Sequence, residues 1–213
     1  MRMQRTLMVL VPVLVLAACG GALVSDPAAV PSKYPTYGVR PENLEVEPRK
    51  SPVQAGEQIP MLLLEDQKGF TVSTREVSTG SDALLIFQGG WTSPEARPVY
   101  DWVRENRTMT AGRDCEILLI GPDTPDTNAK IAAEEELKIA MLHDPSGWGA
   151  RAFGLLNGND ATHVDGIWSV VLGREGRILA VERGLYDISD LITLLAARPD
   201  PRQYRATDML FRN

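Results

Sequence analysis

"FQGGWTSPEARPV", Phe87–Val99, decides the fold. It continues "ALLIF" (Ala83–Phe87), an unbroken apolar run of strand length, which reads as a buried central strand. Gly89 and Gly90 end that strand. Ser93 then stands at a helix N-cap with Pro94 in the first helical position, where a missing N–H costs nothing. Ala96, Val99, Tyr100 and Val103 recur at helical spacing and predict one buried face. Strand, glycine turn, aromatic residue and helix in immediate succession form the first half of a parallel β-α-β unit.

The same alternation continues on both sides. Upstream, "IPMLLLEDQKGFTVST" predicts a hairpin with its turn at Asp66–Gly69. Downstream, "CEILLIG" (Cys115–Gly121) is a second buried strand. "DTPDTNAKIAAEEELK" (Asp123–Lys138) is a helix with Ala129, Ala132, Ala133 and Leu137 inside. "IAMLHD" is a short strand and "PSGWGARAFGLL" holds a short helix. "IWSVVLGREGRILAVERG" is a hairpin about Gly173–Gly176. In the last helix Asp187 is the cap, and Ile188, Leu191, Ile192 and Leu195 form the core stripe. The predicted order is β-β-β-α-β-α-β-α-β-β-α: an α/β fold with a central mixed sheet flanked by helices and an N-terminal hairpin.

The chain begins "MRMQRTLMVLVPVLVLAACGG", with Arg2 and Arg5, an apolar run from Leu7 to Leu16, then small residues and Cys19. This is the layout of an export signal, and the run is short for a membrane span. "LAAC" resembles the bacterial lipobox. That resemblance implies lipidation of Cys19, an anchor in the cell-envelope membrane and a domain facing the periplasm; Gly20 points toward the outer membrane. The expected organisation is a signal peptide at 1–18, a Pro-rich anchored linker at 19–55, a folded domain at 56–197 and a C-terminal tail at 198–213. The whole chain carries a formal charge of −6, and the signal holds two arginines and no acid. The mature balance is therefore 20 cationic against 28 anionic side chains, or −8. With no basic surplus, nucleic acid is excluded as a partner. The expected partners are the membrane, through Cys19, and an unidentified protein or small molecule. Cys115 is the other of the two cysteines, so the mature chain has no second thiol with which to form an internal disulfide.

Five pieces in order resemble the peroxiredoxin family, the alkyl hydroperoxide reductase and thiol-specific antioxidant group, within the thioredoxin-like superfamily. They are "GEQIPMLLLEDQKGFTVS", "ALLIFQGGWTSPE", "CEILLIGPDTPD", "MLHDPSGWGARAFGL" and "IWSVVLGREGRILAV". The resemblance implies a thioredoxin-like fold and places the peroxidatic loop, P-x-x-x-T-x-x-C, on "QGGWTSPE". Gln88 then stands at the proline position, Thr92 keeps the threonine, and Glu95 stands at the cysteine position. A C-x-x-C laid on the turn gives Thr92 and Glu95. The arginine or cis-proline of these folds falls near Ile167.

Peroxide reduction by this route needs an activated thiolate, and a carboxylate cannot form a sulfenic acid or a mixed disulfide. Glu95 in the first helical turn is expected to stay ionised, its pKa lowered by the helix N-terminus. Cys115 opens an apolar strand, where a lone cysteine packs and is inert. The expected function is a redox-inactive binding or scaffold module with no cofactor and no metal, whose active-site turn (Gln88, Trp91, Thr92, Glu95) is vestigial. Two alternatives stay open. One is an antioxidant or oxidoreductase activity by a non-standard site using Cys115 or a bound cofactor. The other is ligand or metal binding in a cleft where His163 and Asp165 meet Glu95. A Ser93–His163–Asp165 triad is a further arrangement of the same residues. Trp91, Trp148 and Trp168 are candidates for an apolar cleft wall. His143 reads as the end of a strand.

Overall fold

The computed structural model describes residues 49–156 and 163–197. The signal, the lipobox-like cysteine, the linker up to residue 48 and the C-terminal tail lie outside the described residues. A seven-stranded mixed sheet forms the centre, in the order β2-β1-β5-β4-β3-β6-β7. Its strands are β1 (Leu63–Asp66), β2 (Thr71–Ser73), β3 (Asp82–Gln88), β4 (Cys115–Gly121), β5 (Ala140–His143), β6 (Ile167–Leu172) and β7 (Ile178–Arg183). β3, β4 and β5 run parallel, and every other pairing is antiparallel. The helices are α1 (Thr74–Val77), α2 (Arg97–Ala111), α3 (Pro125–Glu134), α4 (Trp148–Ala152) and α5 (Ile188–Ala196). β3 is buried along its whole length, as the unbroken apolar run requires of a strand covered on both faces.

The strand alternation splits the core in two. Ala83, Leu85 and Phe87 face a cluster with Leu64, Leu118, Leu142, Phe153 and Val170. Leu84 and Ile86 face the other, with Trp91, Val99, Val103, Leu119 and Met141. The first hairpin turns at Asp66–Gly69 as expected. The Asp66 carboxylate accepts the N–H groups of Lys68 and Phe70 at 2.8 and 2.9 Å, and Gly69 takes φ +79.

Five local expectations need correction. α1 goes unforeseen, because a four-residue helix shows no period. It is held by buried Thr74, whose hydroxyl accepts Leu62 N–H and donates to Pro60 O, both at 3.0 Å. In α3 the inward face is Asn128 and Ile131, while Ala129 and Ala133 are exposed. The helix ends at Glu134, so Leu137 is buried beyond it. In α5 only Leu191 is fully buried; Ile188, Ile192 and Leu195 are half-buried. Ser93 has the extended backbone of an N-cap, but its side chain caps nothing, and Pro94–Ala96 form a single 3₁₀ turn before α2 opens. Finally, packing begins ahead of Gly56: Val53 is 2% exposed and belongs to the core.

Candidate active-site turn

The parallel direction of β3, β4 and β5 brings their carboxyl ends to one edge of the sheet, with the start of β6 beside them. The turn Gln88–Glu95 sits on that edge. Gly89 is required there, since a Cβ would lie 2.6 Å from Val164 O and 3.7 Å from His163 Cβ. The loop carrying His163 therefore does approach the turn. Gly121, at the end of β4, is required for a different contact: a Cβ would lie 2.5 Å from Nε1 of Trp91.

Trp91 is a core residue. It is 1% exposed and packs with Tyr100 at a ring separation of 6.2 Å. Its backbone is pinned on both sides. Its N–H donates to Asp123 Oδ2 at 2.5 Å, and its carbonyl accepts the Tyr100 hydroxyl. Burial, then the Asp123 and Glu135 carboxylates, raise Tyr100 above the usual phenol range, so it remains a donor. Asp123 is itself held in place: its carbonyl accepts Asn128 Nδ2 at 3.2 Å and His143 Nδ1 at 2.8 Å. Neither Asp123 nor Tyr100 emerged from the sequence as a residue of the turn. The local signal of "DTPD" is a helix start. The three tryptophans do not share a wall, for Trp148 and Trp168 pack against the opposite core cluster from Trp91.

Gln88 is 4% exposed, with Nε2 at 3.5 Å from Ser93 Oγ. Thr92 and Glu95 are exposed. The carboxyl of Glu95 is held below the usual carboxylate range by its own backbone N–H and then by the Ser93 hydroxyl. That hydroxyl also lies 3.1 Å from Gly90 O, so its one proton serves one acceptor at a time. His163 and Asp165 are exposed as well, and Asp165 pairs with Arg183 at 2.8 Å. Of the residues of the Ser93–His163–Asp165 arrangement, Asp165 pairs with Arg183, and the Ser93 hydroxyl turns to Gly90 and Glu95. Among the described residues no three His, Cys, Asp or Glu side chains converge on a metal position.

Residues 55–181 match the AhpC/TSA family. The chain belongs to that family. Solved structures with the same fold include the peroxidoxin BcpB of Mycobacterium tuberculosis (20% identity, TM-score 0.61), covering 68% of this chain and 99% of that one. The thiol peroxidase of Chromobacterium violaceum is similar at 16% identity and TM-score 0.58, covering 76% and 94%. Peroxiredoxin Q of Xanthomonas campestris follows at 16% and 0.57, covering 68% and 96%. No curated protein matches the chain. The fold of this AhpC/TSA domain is the thioredoxin-like one of the peroxiredoxins and thiol peroxidases.

The cysteine of the AhpC/TSA domain lies far from this edge in both place and chemistry. Cys115 is the first residue of β4, at the opposite end of the strand from Gly121. It is 3% exposed. Burial, and then the carboxylates of Asp82, Glu116 and Asp114, push its thiol up to about 12. At neutral pH it is a protonated, packed side chain with essentially no thiolate. The exposed part of the turn thus presents an ionised carboxylate and a hydroxyl on a buried support, which can accept and donate hydrogen bonds but offers no sulfur.

Proposed function

We propose that this AhpC/TSA domain is a redox-inactive binding or scaffold module, carried in the cell envelope on a lipid anchor at Cys19. The observation that carries the reading is the exposed, ionised Glu95 on a turn whose buried supports remain intact. The helix N-terminus that would hold a thiolate holds a carboxylate instead, so the charge is kept and the nucleophile is absent. Cys115 lends no support to a thiol peroxidase reading, since its thiolate is suppressed and the residue is buried.

The expected outcome is that the chain from Ala22 onward consumes no hydrogen peroxide in the presence of a thiol reductant. Peroxide turnover above that of a Cys115→Ala control would overturn the reading. The anchor is checked separately. Cys19→Ser is expected to abolish retention in the membrane fraction of a bacterial host, because the sulfur is the site of acylation in the lipobox reading. Retention equal to the parent chain would refute lipidation and leave the binding-module reading untouched.

A further inference from the structure

We propose that residues 49–55 form a strap that releases from the domain as a unit of its own, hinged at Gly56, and so sets how far the domain stands from whatever holds the chain ahead of it. The strap lies along the exit of α4. Arg49 N–H donates to Arg151 O at 3.3 Å, and Val53 N–H donates to Phe153 O at 3.0 Å. Between them Ser51 O crosses Gly154 so closely that a Cβ there would lie 1.9 Å away; Gly154 also takes φ +69, so only glycine lets the strap seat. The side chains grip weakly. Val53 is buried, whereas Arg49, Lys50, Ser51, Gln54 and Ala55 are exposed.

Beyond Gly56 the hold is different in kind. Gly56 N–H and Glu57 O exchange hydrogen bonds with Ile178 at 2.8 and 2.9 Å, and Ile59 N–H donates to Gly176 O at 2.9 Å. The Arg177 guanidinium donates to Gly56 O at 3.0 Å. Gly56 itself sits at φ +90 with open space where a Cβ would be, which is the conformation and clearance of a hinge. Arg49 reaches across that hinge to Glu57 at 2.8 Å, a half-exposed ion pair that contributes little.

Local opening is easiest where few apolar contacts and few shielded backbone bonds must break. Among the described residues the strap has one buried side chain and two main-chain bonds to the exit of α4, and a third, from Glu57 N–H to Gln54 O at 3.1 Å, closes the turn at Gly56, against a seven-stranded core. Its release would free up to roughly 23–25 Å of extended chain. Being the segment of the domain that follows residue 48 in the chain, it is the first part of the domain to respond to anything that pulls on or binds the chain ahead of it.

Native-state hydrogen exchange on the full chain tests this. The Val53 amide is expected to exchange roughly a hundredfold faster than the amides of Leu85 and Leu118, through an opening that leaves β3 and β4 closed. Val53→Ala is expected to speed strap exchange about tenfold and leave the β3 and β4 amides unchanged. Gly154→Ala should do the same by lifting Ser51; should that variant not fold, Val53→Ala decides alone. The proposal is overturned if the Val53 amide exchanges only with the core strands, or if Val53→Ala accelerates strap and core equally.

Discussion

Glu95→Cys, made in a Cys115→Ala background, is expected to yield a thiol that iodoacetamide alkylates rapidly at pH 7, while Cys115 in the parent chain stays essentially unmodified. An exposed thiol of ordinary pKa near 8.5 is a few per cent thiolate at pH 7. A thiol held at about 12 has on the order of 10⁻⁵. The thiolate fraction alone therefore separates the two positions by a factor on the order of 10³, before the burial of Cys115 is counted. The turn adds a further shift in the same direction. The N–H and hydroxyl groups that lower Glu95 would face the introduced thiolate, so the midpoint of the alkylation–pH profile should fall below 8.5. A midpoint at or above that value would mean that the turn exerts no stabilising field. Glu95 would then be an ordinary acidic residue early in a helix, and the argument that the turn retains the charge of a lost nucleophile would fail.

The fold was legible because its signals are repetitive. Seven strands announce themselves by apolar runs or hairpin turns, and α2 by the stripe Ala96, Val99, Tyr100 and Val103, all of which are buried. What escaped the sequence is what depends on contacts distant along the chain. Asp123 reads as a residue ahead of a helix, and nothing local reveals that its carboxylate will take the N–H of Trp91 from another loop. Trp91 reads equally well as a cleft wall or as core, because an indole beside two glycines fits both; the empty space over Gly121 is what draws it inward. Val53 lies among prolines and charges that mask its burial. Ser93 shows the opposite failure. Its local signal is a cap, yet the 3₁₀ turn at Pro94–Ala96 moves the free N–H groups out of its reach.

Trp91→Ala is expected to destabilise the domain by about 3–5 kcal/mol, the range for removing a large buried aromatic. For a chain of this length that lowers Tm by on the order of 10 °C. The backbone bonds to Asp123 and Tyr100 do not need the indole, so the loss is one of packing: Gly121 has no side chain with which to fill the space. Trp91→Phe separates packing from polarity. Nε1 of Trp91 is buried and finds no hydrogen-bond partner among the described residues. Phenylalanine removes an unsatisfied donor while keeping most of the apolar contact, so its cost should stay below about 1.5 kcal/mol. Chemical denaturation of both variants measures the pair. A Trp91→Phe loss as large as that of Trp91→Ala would show that the indole N–H holds a partner after all, such as a buried water. A Trp91→Ala loss under about 1 kcal/mol would show that the turn is held by its backbone bonds alone, and that the aromatic plug over Gly121 contributes little to keeping Glu95 where it stands.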